Sequence, residues 1–397
     1  MSAVGSLADI FEFVRNGKSV KQNKSRNGLP ITRIETIANG IVDGSRVGYA
    51  GLQEAGNEKW LLQKGDILFS HINSVEHVGK CALYEGWPEK LIHGMNLLAL
   101  RPNKHVVDAR YAYRAISDPG FRASLQQFVN KAVNQASISA TNLKSLELPL
   151  PSLDEQRRIA AILDRADDLR RKHWEAYRRV GELSDALFIS MFGVCKLDAA
   201  MWPMSKVSNV GRVQLGRQRA PKYQTGKFTK PYVRVANVYE DRIDTTDLLY
   251  MDFNDADFRD YKLEHGDVLL NEGQSTELVG RPAMWRSEIE DCCFQNTLVR
   301  FQADRERVMP EFALALFLRY FRAGEFAKIS SKTSNVAHLG ASRFGMMPFP
   351  LPPLELQREF SCRLASVSSL KDQYRANAIS GDALFSSLQH RAFSGQL

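Results

Sequence analysis

Cysteine is scarce in this chain of 397 residues: five occur, at 81, 195, 292, 293 and 362. An odd number with no CxxC spacing and no neighbouring histidine pair suggests neither a disulfide framework nor a zinc site. No apolar run approaches the ~20 residues that span a bilayer, and the opening MSAVGSLADIFEF lacks a basic-then-apolar leader pattern. A cytoplasmic protein with no membrane contact is expected. Catalytic signatures are missing too. There is no Asn-Pro motif of the NPPY type, no FxGxG cofactor loop and no glycine-rich phosphate loop. Gly17-Lys18-Ser19 has Glu12 where a phosphate loop needs its first glycine, and it reads as a basic turn. His71, His77 and His93 share a region but show neither helical i, i+4 spacing nor companion cysteines, which argues against a metal. Gly65-Asp66 and Gly266-Asp267 read as turns entering buried strands rather than as paired catalytic acids.

What the chain has is a long helix, twice. LPLPSLDEQRRIAAILDRADDLRRKHWEAYRRVGELSDALFISMFG, residues 148–193, begins with prolines that cannot lie inside a helix. Ser152 or Asp154 can cap it, with Glu155 near the positive end of its dipole. Ile159, Ile162, Ala166, Leu169, His173, Ala176, Val180, Leu183 and Leu187 then recur three and four apart. From Asp154 to Phe192 the helix would run roughly 58 Å at about 1.5 Å per residue, longer than a small domain is wide. Residues 349–395 repeat the pattern, with Phe360, Leu364, Val367, Leu370, Tyr374, Leu384 and Leu388 as the stripe. The two stripes are expected to pair as an antiparallel coiled coil, the alternative being that each helix packs on its own domain.

The repeat reaches beyond the helices. An offset of 201 aligns Pro30 and Arg33 with Pro231 and Arg234, Gly65-Asp66 with Gly266-Asp267, Gly79 with Gly280, Tyr111 with Phe312, Lys131 with Lys332 and Pro149 with Pro350. Asp185–Phe188 matches Asp382–Phe385 at 197, which predicts a second helix shorter by about one turn. The expected class is α+β: two tandem α/β domains, 1–150 and 194–350, separated by long helices at 151–193 and 351–397, in a pseudo-two-fold repeat. The formal charge of +8 divides as +5 for 1–150, 0 for 151–193, +2 for 194–354 and +1 for the rest. The first long helix is therefore neutral despite its arginines, and the basic excess lies in the globular parts.

With LPLPSLDEQRRIAAILD, its partner FPLPPLELQREF, LFISMFG and LQHRAFSGQL in view, the chain resembles the specificity (S) subunit of type I restriction-modification systems over essentially its whole length. Glu155-Gln156-Arg157 after the prolines is the specific feature; the second copy departs from it with Leu356 where an acid is usual. The resemblance implies two target recognition domains, each reading one half of a split, asymmetric double-stranded DNA target, with the helix pair as a ruler. It further implies two methyltransferase subunits docked largely through the helices, a motor-nuclease (restriction) subunit, and no catalysis by this chain. S-adenosylmethionine, ATP and Mg would be bound by those partners, and no cofactor or metal by this chain.

Phosphate contacts supply affinity and base-edge contacts specificity. The phosphate candidates are Lys18, Lys21, Lys24 and Arg26 in a loop over 15–28, and Arg217, Arg219, Lys222 and Lys227 in its counterpart, with Lys18 set against Arg219 at the 201 offset. A solvated basic surface is the plain alternative. KAVNQ (131–135) and KTSNV (332–336) align Lys131 with Lys332 and Asn134 with Asn335; these amides can read adenine or cap a turn. Residues 70–74 and 271–275 form a third candidate surface that differs between the halves. A self-contained methyltransferase or nuclease and a non-DNA interaction scaffold stand as rival functions.

Overall fold

A computed structural model describes residues 3–23, 25–132, 135–193, 201–333 and 336–397, and the backbone but not the side chain of Lys222. The chain divides into two compact units, Met1–Glu175 with Arg375–Leu397, and Ala176–Tyr374. This division cuts each long helix, so the helices contribute to both units rather than forming bodies of their own.

The first unit holds strands β1 (Phe11–Asn16), β2 (Pro30–Thr32), β3 (Val47–Tyr49), β4 (Ile67–Ser70), β5 (Ile72–Asn73), β6 (Cys81–Leu83) and β7 (Leu97–Pro102). Helix α1 (Ala109–Ile116), hairpin strands β8 (Asn130–Ala132) and β9 (Gln135–Ser137), and most of α2 (Leu153–Phe192) follow. The central sheet is antiparallel in the order β1-β7-β4-β6. Ile67, Phe69, Leu98 and Leu100 face a core shared with Tyr111, Ile116, Leu163 and Ala392, while Leu68, Ala82, Leu97 and Ala99 face Tyr84 and Leu91. Burial on both faces explains why these strands are short continuous apolar runs instead of alternating ones.

The second unit repeats the plan with β10 (Gly211–Leu215), β11 (Thr229–Val233), β12 (Leu249–Asp252), β13 (Val268–Asn271), β14 (Gly273–Gln274), β15 (Pro282–Met284) and β16 (Leu298–Ala303). Then come α3 (Pro310–Arg322), β17 (Ser331–Thr333), β18 (Val336–His338) and the first half of α4 (Leu354–Phe393). Its sheet runs β10-β16-β13-β15. Gly65 and Gly266 take φ of +98° and +97°, the left-handed turn that favours glycine. The aspartate after each then caps its own turn: Asp66 accepts from the Gln63 N–H (2.8 Å) and Asp267 from the Glu264 N–H (3.0 Å). Each also holds a guanidinium of the neighbouring strand, Arg101 at 2.7 Å and Arg300 at 3.3 Å. Burial raises the Asp267 pKa and Arg300 partly offsets the rise.

Each long helix has 40 residues, so the second is not a turn shorter. Only the Asp-Ala-Leu-Phe segment has moved by about one turn, which keeps its apolar face in place. Ser152 caps α2 through the Glu155 N–H at 3.3 Å. In the first unit Asp382 of α4 accepts from Arg170 (3.5 Å) and Trp174 (3.1 Å) of α2, and the Gly381 backbone lies against Arg170 and His173. In the second unit Lys371 reaches Gly181 and the Tyr177 ring, and Phe360 packs edge-on against Phe188 and Phe192. Residue numbers fall on α4 as they rise on α2, so the pairing is antiparallel.

The predicted seam needs correction. Ile159, Val180 and Phe360 are buried, and Ile162, Ala166, Leu187, Leu364, Val367 and Tyr374 are half-buried. Leu169, Leu183, Leu370 and Leu384 point outward, 51, 46, 38 and 58% exposed. Leu163, Phe188 and Phe192 are buried instead. A helix of 3.6 residues per turn drifts ~20° per heptad from a 3.5-residue stripe. Around the drift the interior turns polar, with Asp167 buried beside Arg170.

Candidate nucleic-acid interface

Both basic loops leave the central sheet at the same place. In the first unit the Lys18 N–H donates to His93 O (2.9 Å), and in the second the Arg217 N–H donates to Phe294 O (3.1 Å). Gly17 and Gly216 press against the same partner backbone, so Lys18 corresponds to Arg217 and not to Arg219. The true offset in β1 and β10 is 199, and the second loop is two residues longer. A constant offset read from later landmarks could not show this, because a loop insertion leaves the flanking strands in register.

Lys18 is half-buried with its ammonium 4.3 Å from the centre of the Trp60 ring. Lys21, Arg26, Arg219 and Lys227 are exposed, Lys24 lies outside the described residues, and so does the side chain of Lys222. Arg217 is buried, 7% exposed. It is held by Asp257 at 2.5 Å, by the Asp252 carbonyl and by the Tyr223 ring. A guanidinium already neutralised and walled in is a structural anchor, which corrects its assignment as a phosphate contact.

The other two candidate surfaces are one. β9 pairs with β5 and with β8, and β18 pairs with β14 and with β17, so residues 70–74 and the 131–135 hairpin share a sheet, as do 271–275 and 332–336. Lys131 and Lys332 are exposed at matching positions opposite Ala136 and Ala337. Asn134 and Asn335 fall outside the described residues. Asn16 and Ser70 pair with neighbouring residues Leu98 and Leu97 at the start of β7, and Leu215 and Asn271 pair with Val299 and Leu298 at the start of β16. Basic loop and hairpin sheet therefore emerge from the same end of the central sheet in each unit.

Within that surface the halves differ. His71, 7% exposed with Nδ1 unpartnered, has its pKa lowered to about 4 by burial. Its counterpart Glu272 binds His338 Nδ1 at 3.1 Å.

Two buried glutamines tie the long helices to the domains. Gln156 accepts from the Asp108 N–H (2.8 Å) and donates to Val106 O (3.2 Å) and Pro151 O (2.9 Å). Gln357 accepts from the Met309 N–H (3.0 Å) and donates to Arg307 O (3.1 Å) and Pro352 O (2.9 Å). Each satisfies backbone groups beside the start of α1 or α3 that would otherwise be buried unpaired. Each unit adds an ionic tie from its domain helix to α2: Arg114 binds Asp164 (2.8 Å) and Asp167 (3.1 Å) in the first, and Arg322 binds Asp185 in the second. Burial would raise the Asp167 pKa, but Arg114 and Arg170 outweigh it and hold it low. The motif had pointed to Gln156 without its role; helix spacing cannot show which loop carbonyls a side chain meets.

Comparison with known proteins places this arrangement. Residues 2–173 match the type I restriction modification DNA specificity domain. The chain is 48% identical over 167 residues to the putative type I restriction enzyme MjaX specificity subunit of Methanocaldococcus jannaschii, covering 42% of this chain and 39% of that protein. It is 30% identical over 193 residues to the type I restriction enzyme EcoKI specificity subunit of Escherichia coli K12, covering 47% and 41%. The matches thus span about two fifths of the length of each relative. The fold agrees over the whole chain: the S subunit from M. genitalium superposes with a TM-score of 0.58 at 14% identity, covering 99% of this chain and 96% of that one. A chain from a study of complex assembly and conformational transition of the type I R-M system gives 0.60 at 15%, covering 100% and 98%. The chain is thus similar to specificity subunits of type I restriction-modification systems, in sequence over its first 173 residues and in fold over its whole length.

Proposed function

We propose that this chain selects a bipartite, asymmetric double-stranded DNA target for a multi-subunit methyltransferase and restriction complex. One observation carries the reading: in each unit a basic loop and a lysine-bearing hairpin emerge from the same end of the central sheet. Lys18, Lys21, Arg26 and Lys131 in the first unit, and Arg219, Lys227 and Lys332 in the second, approach phosphates. Asn134 and Asn335, which lie outside the described residues, and residues 72–74 and 272–275 are the candidates for reading base edges in the major groove. The difference between Ile72-Asn73 and Gly273-Gln274, partly exposed at matching positions, fits two halves that read different bases. The long helices set the distance between half-sites, about one helical turn or roughly 10 bp between centres.

The outward leucines support a partner on the helices. Leu169, Leu183, Leu370 and Leu384, with Ile379 at 53% exposure, leave apolar surface that two methyltransferase subunits would cover. A restriction subunit joins them, and S-adenosylmethionine, ATP and Mg belong to those cytoplasmic partners. The test is selection from a randomised duplex library by this chain with its methyltransferase subunit. Enrichment of a split motif is expected; methyl transfer by the chain alone, or no enriched motif, would overturn the reading.

A further inference from the structure

The hairpin beside the basic loop keeps the same turn in both units but not the same charge. Pro30 pairs with Tyr49 as Pro231 pairs with Tyr250. The Arg33 N–H donates to Thr36 Oγ1 (2.8 Å) as the Arg234 N–H donates to Asn237 Oδ1 (3.0 Å). The Asp43 N–H donates to Thr36 O and the Asp244 N–H to Asn237 O, both at 2.8 Å. Asp43 accepts from the Ser45 N–H (2.9 Å) as Asp244 does from the Thr246 N–H (3.0 Å). With these bonds of the turn duplicated at one offset, Arg46 is the counterpart of Asp247.

The consequence is electrostatic. In the second unit Asp247 holds Arg234 at 2.7 Å, a closed ion pair. In the first unit no carboxylate among the described residues pairs with Arg33. Its Nε donates to Gln22 Oε1 at 3.0 Å, and it lines with Arg46, Arg26 and Glu35 an open cavity of about 710 Å³. Arg46 leans on Asp43 at 3.3 Å, so the three arginines outnumber the two acids. Tyr49 and Trp87 are its aromatic lining, and Trp87 is 66% exposed. A Cβ on residue 44 would stand 2.1 Å from the indole, so only glycine lets that ring lie so close. The second unit has Thr245 and Glu288 at the positions of Gly44 and Trp87.

The cavity is continuous with the basic loop. Gln22 Nε2 donates to Thr32 O (3.2 Å), and Asn23 and Tyr49 exchange backbone bonds at 2.8 and 3.2 Å. Arg26 thereby belongs to both. We propose that Arg33 and Arg46, walled by Trp87, form a cleft for a backbone phosphate of duplex DNA, present in the first unit and replaced by an ion pair in the second. Guanidinium groups match phosphate geometry, and an exposed aromatic beside them suits the sugar edge. The inference rests on the DNA-reading function above and adds that the two domains grip the backbone unequally.

The test uses the full chain with its methyltransferase subunit and a duplex carrying the selected target, with affinity measured across salt concentrations. Arg46→Asp copies the second unit and gives Arg33 a partner, so the fold is expected to stand. Binding should weaken on the order of 10-fold, and the log–log salt slope should become shallower by about 1 to 2. Asp247→Arg should do the reverse, steepening the slope by about 1. If both variants leave the slope unchanged while Lys21→Ala and Lys131→Ala weaken binding, the cleft is refuted and the DNA reading stands. If none of the four matters, both fall. Saturable quenching of Trp87 by inorganic phosphate, with DNA affinity unmoved by Arg46→Asp, would assign the cleft to a small anion and refute the proposal.

Discussion

His71 shows how a single side chain can carry a condition for stability. Its folded pKa of about 4 lies below the ordinary 6.5 because burial disfavours the charged form. As pH falls below about 6.5 the unfolded chain takes up a proton that the folded chain refuses until about 4, so stability of the first unit is lost across that window. Unfolding free energies from denaturant titrations at pH 7.5 and 5 should differ by on the order of 1 kcal/mol more in the parent than in His71→Gln. Equal differences would show that another group titrates. Asp267→Asn strands part of the buried Arg300 charge and should cost about 3–5 kcal/mol in the second unit. At this scale the sequence is legible where backbone geometry dictates the residue, as at Gly65 and Gly266. It is illegible at Arg217, because an arginine in a polar loop looks the same whether water or Asp257 meets it.

Among elements, the long helices were legible from their prolines and spacing, and their attachment was not. Gln156→Ala should cost about 1–3 kcal/mol by leaving the Asp108 N–H and Val106 carbonyl buried without a partner, and Gln357→Ala should do the same to the second unit. Thermal unfolding checks both, and a loss under 0.5 kcal/mol, on the scale of an ordinary surface change, would mean that water replaces the amide. The seam was half legible. Ile159 and Phe360 fell where a heptad puts them, but Leu169 and Leu384 did not, since a stripe of leucines is written alike for a neighbouring helix and for another protein.

For the whole molecule, Leu169→Ser with Leu384→Ser should weaken association with the methyltransferase subunit at least ~10-fold while shifting the unfolding temperature little, because both side chains are already in water. Leu163→Ala, a buried control, should cost about 2–5 kcal/mol instead. Matched removal of four residues from α2 and α4 shortens each by about 6 Å. At about 3.4 Å per base pair the preferred spacer should shrink by about 2 bp with both half-sites kept, as methylome sequencing would record.

Sequence alone determined the duplication and the two long helices, because prolines, glycine turns and apolar spacing act through local backbone geometry. Tertiary structure decided which cations are free. Lys18 and Arg217 occupy one structural position, yet one rests on Trp60 and the other is sealed by Asp257. Arg33 and Arg234 are twins until Arg46 or Asp247 stands beside them. A charge becomes available to DNA only when no opposite charge reaches it first, and that depends on distances between segments far apart in the chain.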